Sequence, residues 1–308
     1  MEVATKQALD FAVIGAQKAG TSSLFQYLRH HPQLHIPPGK EIPFFSRDER
    51  YERGWEWYAR EYFSHAPQET LWGTVSPQYM SDPATPGRMR EMMPDTKIIA
   101  ILRNPVHRAY SHYRMAILRD IETRSFEQAV RELSDEATAS RVRTLRPMIE
   151  SRSQCYLAWG EYARILGLYF SLFPQEQILV VFSEELENAP LETYRGILRF
   201  LGVSPDFVPD NLGKRYHPGG TKKRTLPVDR LRKIKALRPL WLKIPGRQRM
   251  LLFRAYANFN KWNTIPEPPS GSASIDPQTL AKVVDYYRPE VERLRDLLGR
   301  EVPWPEFR

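Results

Sequence analysis

The sequence predicts a single-domain α/β fold in which helices flank a central parallel sheet. Short apolar runs alternate with stretches of helical character along the chain. The clearest run, residues 97–102, has no polar face, which is typical of a parallel strand buried on both sides. A turn bounded by Gly15 and Gly20 joins the first strand directly to a helix. The 308 residues show no internal repeat and are enough to bury a substantial core.

In the first third of the chain we expect strands at 11–14 and 72–76 and a helix from 22 to about 30. Prolines at positions 32, 37 and 38 interrupt the chain after that helix, because proline lacks the N–H that a helix or central strand requires. Pro77 closes the second strand. The aromatic segment 51–58 is left without an assigned element.

Further along, a strand at 97–102 precedes Asn104 and Pro105, which are typical of an N-cap and a first helical position. That helix should reach about residue 115. A polar, Arg-rich stretch at 115–155 predicts a helical lid over a site. We further expect a strand at 177–182 and a helix at 191–201 that Gly202 ends. A basic loop at 211–226 should begin a cover of loops and helices at 211–275. A last helix at 277–298 completes a single domain of residues 1–308.

Composition narrows the class of partner. A net charge of +9 indicates an anionic partner. No recognised nucleic-acid-binding module is visible, so we expect no nucleic-acid partner. The one cysteine, Cys155, cannot form an internal disulfide. The first ten residues contain no apolar signal core and no uncharged stretch reaches ~18 residues, so we expect a cytoplasmic protein.

The segment Gly15-Ala-Gln-Lys-Ala-Gly-Thr-Ser-Ser-Leu24 has the glycine spacing of a Walker A phosphate loop. Backbone N–H groups at the start of the following helix, together with the helix dipole, favour a phosphate there. Thr21 stands where a Walker A loop has its lysine, and Lys18 lies inside the loop instead. Such a loop can cradle a 5′-phosphate but is poorly equipped for Mg²⁺ and a γ-phosphate. We therefore expect a P-loop-type sheet and no metal, although a plain strand–turn–helix junction also uses glycines.

A second cluster follows the strand at 97–102. Arg103 stands at the carboxyl end of this strand, where ligands bind in open α/β sheets, and Ser111 lies eight residues on along the next helix. A phosphate-loop NTPase more often has a metal-organising Asp at such a strand end. A guanidinium is suited to bidentate phosphate binding instead. The two clusters together predict a second phosphate site; pairing of Arg103 with a helix C-terminus is the structural alternative.

The two motifs resemble those of the sulfotransferases that use 3′-phosphoadenosine 5′-phosphosulfate (PAPS), particularly carbohydrate, heparan-sulfate-type and bacterial members. The resemblance covers nearly the whole chain, including residues 162–203 and 286–304. It implies that the product is adenosine 3′,5′-bisphosphate and that Arg103 and Ser111 hold the 3′-phosphate. The residues that would wrap the 5′-phosphosulfate are Gln17, Lys18, Ala19, Gly20, Thr21, Ser22 and Ser23. Tyr216 would border the adenine, and the segment that would close over the cofactor contains Thr221, Lys222, Lys223 and Arg224.

The segment Lys40-Glu-Ile-Pro-Phe-Phe45 resembles the Lys-Glu-x-x-Phe-Phe segment of the carbohydrate sulfotransferases. The resemblance implies that Glu41 is the general base that deprotonates the acceptor as it attacks sulfur in line. Lys40 would stabilise nearby charge, and Lys18 would stabilise the leaving phosphate oxygen. His35 and His112 are alternative bases, because cytosolic-type sulfotransferases use histidine. A solvated Lys–Glu pair is the structural alternative.

The segment 73–79 departs from the family pattern Glu-x-Ser/Thr-Pro-x-Tyr, since Thr74 occupies the acidic position. The expected reaction is sulfuryl transfer to a hydroxyl, or less favourably an amine, of a small-molecule, lipid or glycan acceptor. An ATP/Mg²⁺-dependent kinase is the enzymatic alternative. A non-enzymatic protein of anionic membranes is the other, because the basic, apolar stretch 230–243 can lie on a membrane surface.

Overall fold

The computed structural model describes residues 6–119, 121–146, 153–216, 221–223, 264–266 and 275–308. Five parallel strands form one sheet in the order β2-β3-β1-β4-β5. The strands are β1 (Phe11–Gly15), β2 (Leu34–His35), β3 (Leu71–Val75), β4 (Lys97–Leu102) and β5 (Ile178–Phe182). The predicted α/β fold with a central parallel sheet is confirmed.

Helices cover both faces of this sheet. They are α1 (Thr21–Leu28), α2 (Asp48–Tyr51), α3 (Gly54–Phe63), α4 (Gln78–Ser81), α5 (Thr85–Met92), α6 (Pro105–Leu118), α7 (Phe126–Leu133), α8 (Glu136–Arg143), α9 (Tyr162–Leu172), α10 (Ser183–Asn188), α11 (Pro190–Leu201) and α12 (Pro277–Leu298). Short 3₁₀ turns lie at Ala158–Gly160, Gln175–Gln177 and Pro305–Phe307.

The strands are mostly apolar because each face of the sheet meets its own core. In β1, Ala12 and Ile14 join one buried cluster, whereas Phe11 and Val13 join the other. This alternation follows from the two-residue period of a strand. Gly73 in β3 makes the close packing possible, since a Cβ there would lie 2.1 Å from the ring of Phe11.

The sheet order determines where a ligand can bind. Strand β1 lies between β3, which follows it on one side, and β4, to which the chain crosses on the other. This reversal creates a crevice at the carboxyl ends of the strands, the usual ligand position in open α/β sheets. The loops after β1, β3 and β4 meet there, and they carry the predicted site residues.

One predicted segment is helical as expected in its described part, and one predicted loop differs from the structure. The stretch 115–155 is partly the end of α6, and the helices α7 and α8 supply most of the rest that is described. The predicted loop 211–226 is wrong at Thr221–Lys223, which forms strand β6 antiparallel to β7 (Thr264–Pro266). The partner strand lies about forty residues away, so no local pattern reveals it. Most of the predicted cover at 211–275, including 230–243, lies outside the described residues.

Candidate active site

The loop between β1 and α1 is fixed to the neighbouring strand at its start. The Ala16 N–H donates to the carbonyl of Ile101 at the end of β4, 2.7 Å away. The chain then turns through Lys18 and Gly20, both with left-handed backbone, at φ 72° and φ 100°. Gly20 directly precedes α1 and has no side chain with which to cap it. The Ser23 N–H donates to the Gly20 carbonyl at 3.0 Å, so the N–H groups that can meet an anion are those of Thr21 and Ser22.

The other loop residues differ in what their side chains face. Thr21 is buried, and the buried Oε1 of Gln17 has no hydrogen-bond partner among the described residues. The hydroxyl of Ser22 accepts a hydrogen bond from Lys40 Nζ at 3.1 Å. Ser23 instead accepts from the backbone N–H of Tyr216 at 3.0 Å, so its hydroxyl holds the chain at 216. Ala19, the remaining loop residue of the predicted set, is buried.

Lys18 lies in a strongly positive environment. The pKa of its ammonium group is lowered from 10.5 to about 8, first by burial and then by the neighbouring charges of Arg103, Arg119 and Lys40. The negative charge of Glu41 raises the pKa of Lys18 and partly offsets this lowering. Arg103 Nη1 donates to the Lys18 carbonyl at 3.3 Å, and burial also lowers the pKa of Arg103. An anion entering this cluster would relieve the repulsion among these cations.

The predicted second phosphate motif starts at the end of β4. Arg103 is held by its carbonyl, which accepts a hydrogen bond from the hydroxyl of Tyr162 at 2.9 Å. Asn104 is the N-cap of α6 as predicted, and its Oδ1 accepts from the N–H groups of Val106 and His107 at 3.0 and 3.4 Å. Ser111 is buried on the same helix. Arg103 and the phosphate loop thus meet at the crevice between β1 and β4.

Glu41 follows the irregular segment after β2 and has left-handed backbone at φ 68°. Its N–H donates to the carbonyl of Val75 at 3.0 Å, which brings it to the carboxyl end of β3. Lys40 Nζ lies 3.0 Å from Oε1 of the Glu41 carboxylate, and Gln78 Nε2 donates to Oε2 at 2.9 Å. Lys40 also reaches Ser22, so it links this carboxylate to the phosphate loop. The sequence motifs contained Gln78 but did not single it out.

The segment 76–79 supports the chain that follows Glu41. Ser76 Oγ and the Tyr79 hydroxyl both donate to the carbonyl of Ile42, at 2.9 and 2.7 Å. The Tyr79 oxygen also accepts from the N–H of Phe44 at 3.2 Å. Thr74, at the position where the family pattern is acidic, is buried with its Oγ1 3.5 Å from Ser76 Oγ. The Ser-Pro-x-Tyr motif therefore holds the segment that carries the predicted base.

The predicted adenine and closing residues lie around α1 and α6. Tyr216 accepts from Asn211 Nδ2 at 3.0 Å, and its ring lies 5.6 Å from the ammonium of Lys214. Cα atoms of β6, which contains Thr221, Lys222 and Lys223, lie within 8 Å of α6. Arg224 lies outside the described residues.

The two histidines considered as alternative bases occupy packed positions. His112 is fully buried in α6, where its ring stacks on Trp159 with centroids 5.0 Å apart. His35 packs against Phe63 and pairs in register with Trp72, well before the carboxyl end of β3. Burial lowers the pKa of His35.

A separate buried ion cluster lies between α8, α9 and α12. Glu161 accepts hydrogen bonds from Arg143 at 2.9 to 3.1 Å, from Arg164 at 2.6 Å and from the hydroxyl of Tyr286. Burial opposes ionisation of Glu161, but the hydrogen bonds outweigh it, and the pKa is lowered. These side chains line a cleft of about 790 Å³ that shares no residue with the phosphate loop. Through Arg143 and Glu161, the cluster connects α8 to the start of α9.

The described residues can also be considered as metal ligands and as membrane-spanning helices. No group of three His, Cys, Asp or Glu side chains there could hold a metal ion. Among the helices that the structure describes, none is both long and apolar enough to cross a membrane.

Residues 9–217 match the family model described as "Sulfotransferase domain". Heparan sulfate glucosamine 3-O-sulfotransferase 3A1 of Mus musculus is 29% identical over 203 residues, 66% of this chain and 48% of that protein. Bifunctional heparan sulfate N-deacetylase/N-sulfotransferase 3 of Homo sapiens is 31% identical over 207 residues, 64% of this chain and 22% of that protein. The chain thus spans half or less of these two relatives.

A solved structure extends the likeness to the whole fold. The sulfotransferase from Alicyclobacillus acidocaldarius superposes with a TM-score of 0.65 at 28% identity, covering 96% of this chain and 97% of that one. The phosphate loop and Arg103 lie within the matched residues 9–217, as does Glu41. The chain belongs to the sulfotransferase family.

Proposed function

We propose that the protein transfers the sulfuryl group of PAPS to a hydroxyl group of a glycan acceptor, with Glu41 as general base. The observation that carries the proposal is the convergence of the phosphate loop, Arg103 and the Glu41 carboxylate at one crevice. A glycan is the favoured acceptor because the matched relatives are named for heparan sulfate. A hydroxyl is preferred to an amine on the resemblance of the Lys-Glu segment.

The residues of the crevice fit a donor with two anionic groups. The N–H groups of Thr21 and Ser22 begin α1, where the helix dipole favours an anion, and Lys18 and Arg103 bring two cations to this helix end. The lowered pKa of Lys18 reflects burial and uncompensated positive charge, which an anionic ligand would balance. Gln17, Thr21 and Ser22 would complete the 5′ site, with Arg103 and Ser111 at the 3′-phosphate.

PAPS would supply an activated sulfuryl group, with the bridging phosphate oxygen as the leaving atom. The Glu41 carboxylate would take the proton of the acceptor hydroxyl as the new bond to sulfur forms, so no free alkoxide is needed. Lys18 would balance the negative charge that grows on the leaving oxygen. Lys40 reaches both Ser22 and Glu41, so it would hold the two halves of the site at a fixed distance.

The first test is the choice of nucleotide. Adenosine 3′,5′-bisphosphate at a hundredfold excess over its Kd should stabilise the protein by about 2.7 kcal/mol, seen as a higher melting temperature. ATP with Mg²⁺ should give a much smaller shift. Stabilisation by ATP–Mg²⁺ alone would instead identify a kinase. Vesicle binding without any nucleotide effect would favour a membrane-binding protein.

The second test is the base. Glu41→Gln should lower kcat by about 10²- to 10⁴-fold, the usual contribution of a general base, and leave the affinity for adenosine 3′,5′-bisphosphate unchanged. Glu69→Gln, an exposed glutamate in a turn, is the matched control and should behave as wild type. Transfer to a panel of glycans with labelled PAPS measures kcat. Full activity of Glu41→Gln would remove Glu41 from the role of base.

A further inference from the structure

Gln78 is the first residue of α4 and makes a direct hydrogen bond to the Glu41 carboxylate. It is 9% exposed, and its Nε2 lies 2.9 Å from Oε2 of Glu41. The other oxygen of the same carboxylate is 3.0 Å from Lys40 Nζ. Both oxygens of Glu41 are thus engaged by donors from different parts of the chain.

The two donors constrain Glu41 to different degrees. Lys40 is adjacent in sequence and its ammonium group is shared between Glu41 and Ser22, and the Glu41 side chain is 42% exposed. An ion pair of this kind contributes little orientation, because water screens it and a long side chain must be ordered. Gln78 is neutral and buried, so its amide directs the carboxylate without adding charge. Fixing the plane of the carboxylate therefore falls mainly to Gln78.

The element that carries Gln78 also fixes the backbone next to Glu41. Tyr79, the following residue, holds the carbonyl of Ile42 and the N–H of Phe44. The carbonyl of Tyr79 accepts a hydrogen bond from the hydroxyl of Tyr169 in α9 at 2.8 Å, which anchors α4 to the core. The same short helix thus sets the position of the Glu41 backbone and the orientation of its side chain.

We propose that Gln78 is a positioning residue of the transfer reaction, which acts through Glu41 by holding its carboxylate in the orientation that accepts the acceptor proton. The inference rests on the proposed role of Glu41 as base. Such a residue contributes because a reacting group must be held close to its productive geometry, and a small misplacement is costly in rate. The charged groups that act on this carboxylate from neighbouring segments include Lys40 and, from the phosphate loop, Lys18.

The test compares three variants at Gln78. Gln78→Met keeps the length of the side chain and removes the amide, so kcat should fall about ten- to a hundredfold. KM for PAPS and the Kd for adenosine 3′,5′-bisphosphate should stay within about threefold of wild type, because the phosphate loop is untouched. Gln78→Glu places a second carboxylate beside the first, and the two would compete for one proton. The acidic limb of its pH–rate profile should therefore move to higher pH.

The control for side-chain chemistry is Gln278→Met on the exposed first turn of α12, which should match wild type. Gln78→Asn keeps the amide but is one methylene shorter, so it should lose activity like Gln78→Met. If Gln78→Met does not fold, Gln78→Asn provides the same test of the positioning role. Wild-type kcat with an unchanged pH profile in any Gln78 variant that folds would overturn the proposal.

A double-mutant cycle separates this inference from the proposed function. In the Glu41→Gln background, single-turnover rates should show no further loss on adding Gln78→Met, because the amide acts only through Glu41. An equal loss in both backgrounds would overturn the positioning role. Full activity of Glu41→Gln alone would instead remove the base itself. An inactive Glu41→Gln together with a fully active Gln78→Met would reject only the role of Gln78.

Discussion

The electrostatics of Lys18 predict that binding of adenosine 3′,5′-bisphosphate takes up a proton. In the free protein the pKa of Lys18 is about 8, through burial first and then the charges of Arg103, Arg119 and Lys40. A bound 5′-phosphate would offset these effects and return the pKa toward its ordinary 10.5. The lysine is then protonated in the complex at pH values where it is partly neutral in the free protein. Raising the pH above 8 should therefore weaken binding.

The magnitude follows from the two pKa values. At pH 8 about half a proton should be taken up per ligand bound, and at pH 9 close to one. The difference between 8 and 10.5 corresponds to about 3 kcal/mol, or on the order of a hundredfold in affinity between the charged and neutral forms of Lys18. The ligand's phosphates do not contribute to proton uptake at pH 8 to 9, because their second pKa is about 6 and they are already fully ionised.

Isothermal titration calorimetry in two buffers of different ionisation enthalpy measures this uptake directly. Lys18→Arg stays charged and Lys18→Met has no proton to gain, so both should abolish most of the uptake at pH 9. The control is Lys282→Met, which replaces an exposed lysine on α12 and should leave the proton uptake unchanged. No uptake by the wild type at pH 9, or equal uptake in Lys18→Met, would refute the reasoning.

Three further perturbations have distinct outcomes. Arg103→Ala should weaken binding of adenosine 3′,5′-bisphosphate by about 1.5–3 kcal/mol in calorimetry and change binding of adenosine 5′-phosphate much less; equal losses would contradict the 3′ assignment. Tyr79→Phe removes the hydrogen bond from the buried hydroxyl to the Ile42 carbonyl and should lower the free energy of unfolding by about 1 kcal/mol, so an unchanged urea midpoint would count against it. Arg143→Leu should lower the free energy of unfolding by about 1–2 kcal/mol at pH 7, because the buried Glu161 carboxylate loses one of its two cations and keeps Arg164. Since the folded-state pKa of Glu161 is lowered, its stabilisation is lost as pH falls, and the wild-type and variant stabilities should converge in acid; a constant gap would refute this.

The main elements could be predicted from the sequence because their signals are local. Strand β4 is a continuous apolar run, and its bounds match the prediction. Asn104 is an N-cap because its short side chain reaches the N–H groups of the next turn, and the structure shows that contact. Gly202 ends α11 with left-handed backbone at φ 82°, as a glycine after a helix commonly does.

What escaped prediction depends on contacts between distant segments. Gln78 reaches Glu41 across 37 positions, and no pattern around either residue indicates the pairing. Ser23 looked like the other hydroxyls of the phosphate loop, yet it accepts from the N–H of Tyr216, 193 positions away. Side-chain chemistry and spacing identify residues able to take part in a site, whereas the direction of each side chain depends on tertiary packing.

The two proposed reacting groups, Lys18 and Glu41, both lie in strained backbone, and Lys18 also lies among repelling cations. Lys18 and Glu41 are the non-glycine residues with left-handed backbone in the part of the chain that the structure describes. Each such conformation costs about 1 kcal/mol or more, and the surrounding contacts must maintain it. Lys18 additionally bears the repulsion of three neighbouring cations. Part of the free energy of donor binding would then come from relief of repulsion already present in the free site, which makes affinity fall with salt and with rising pH.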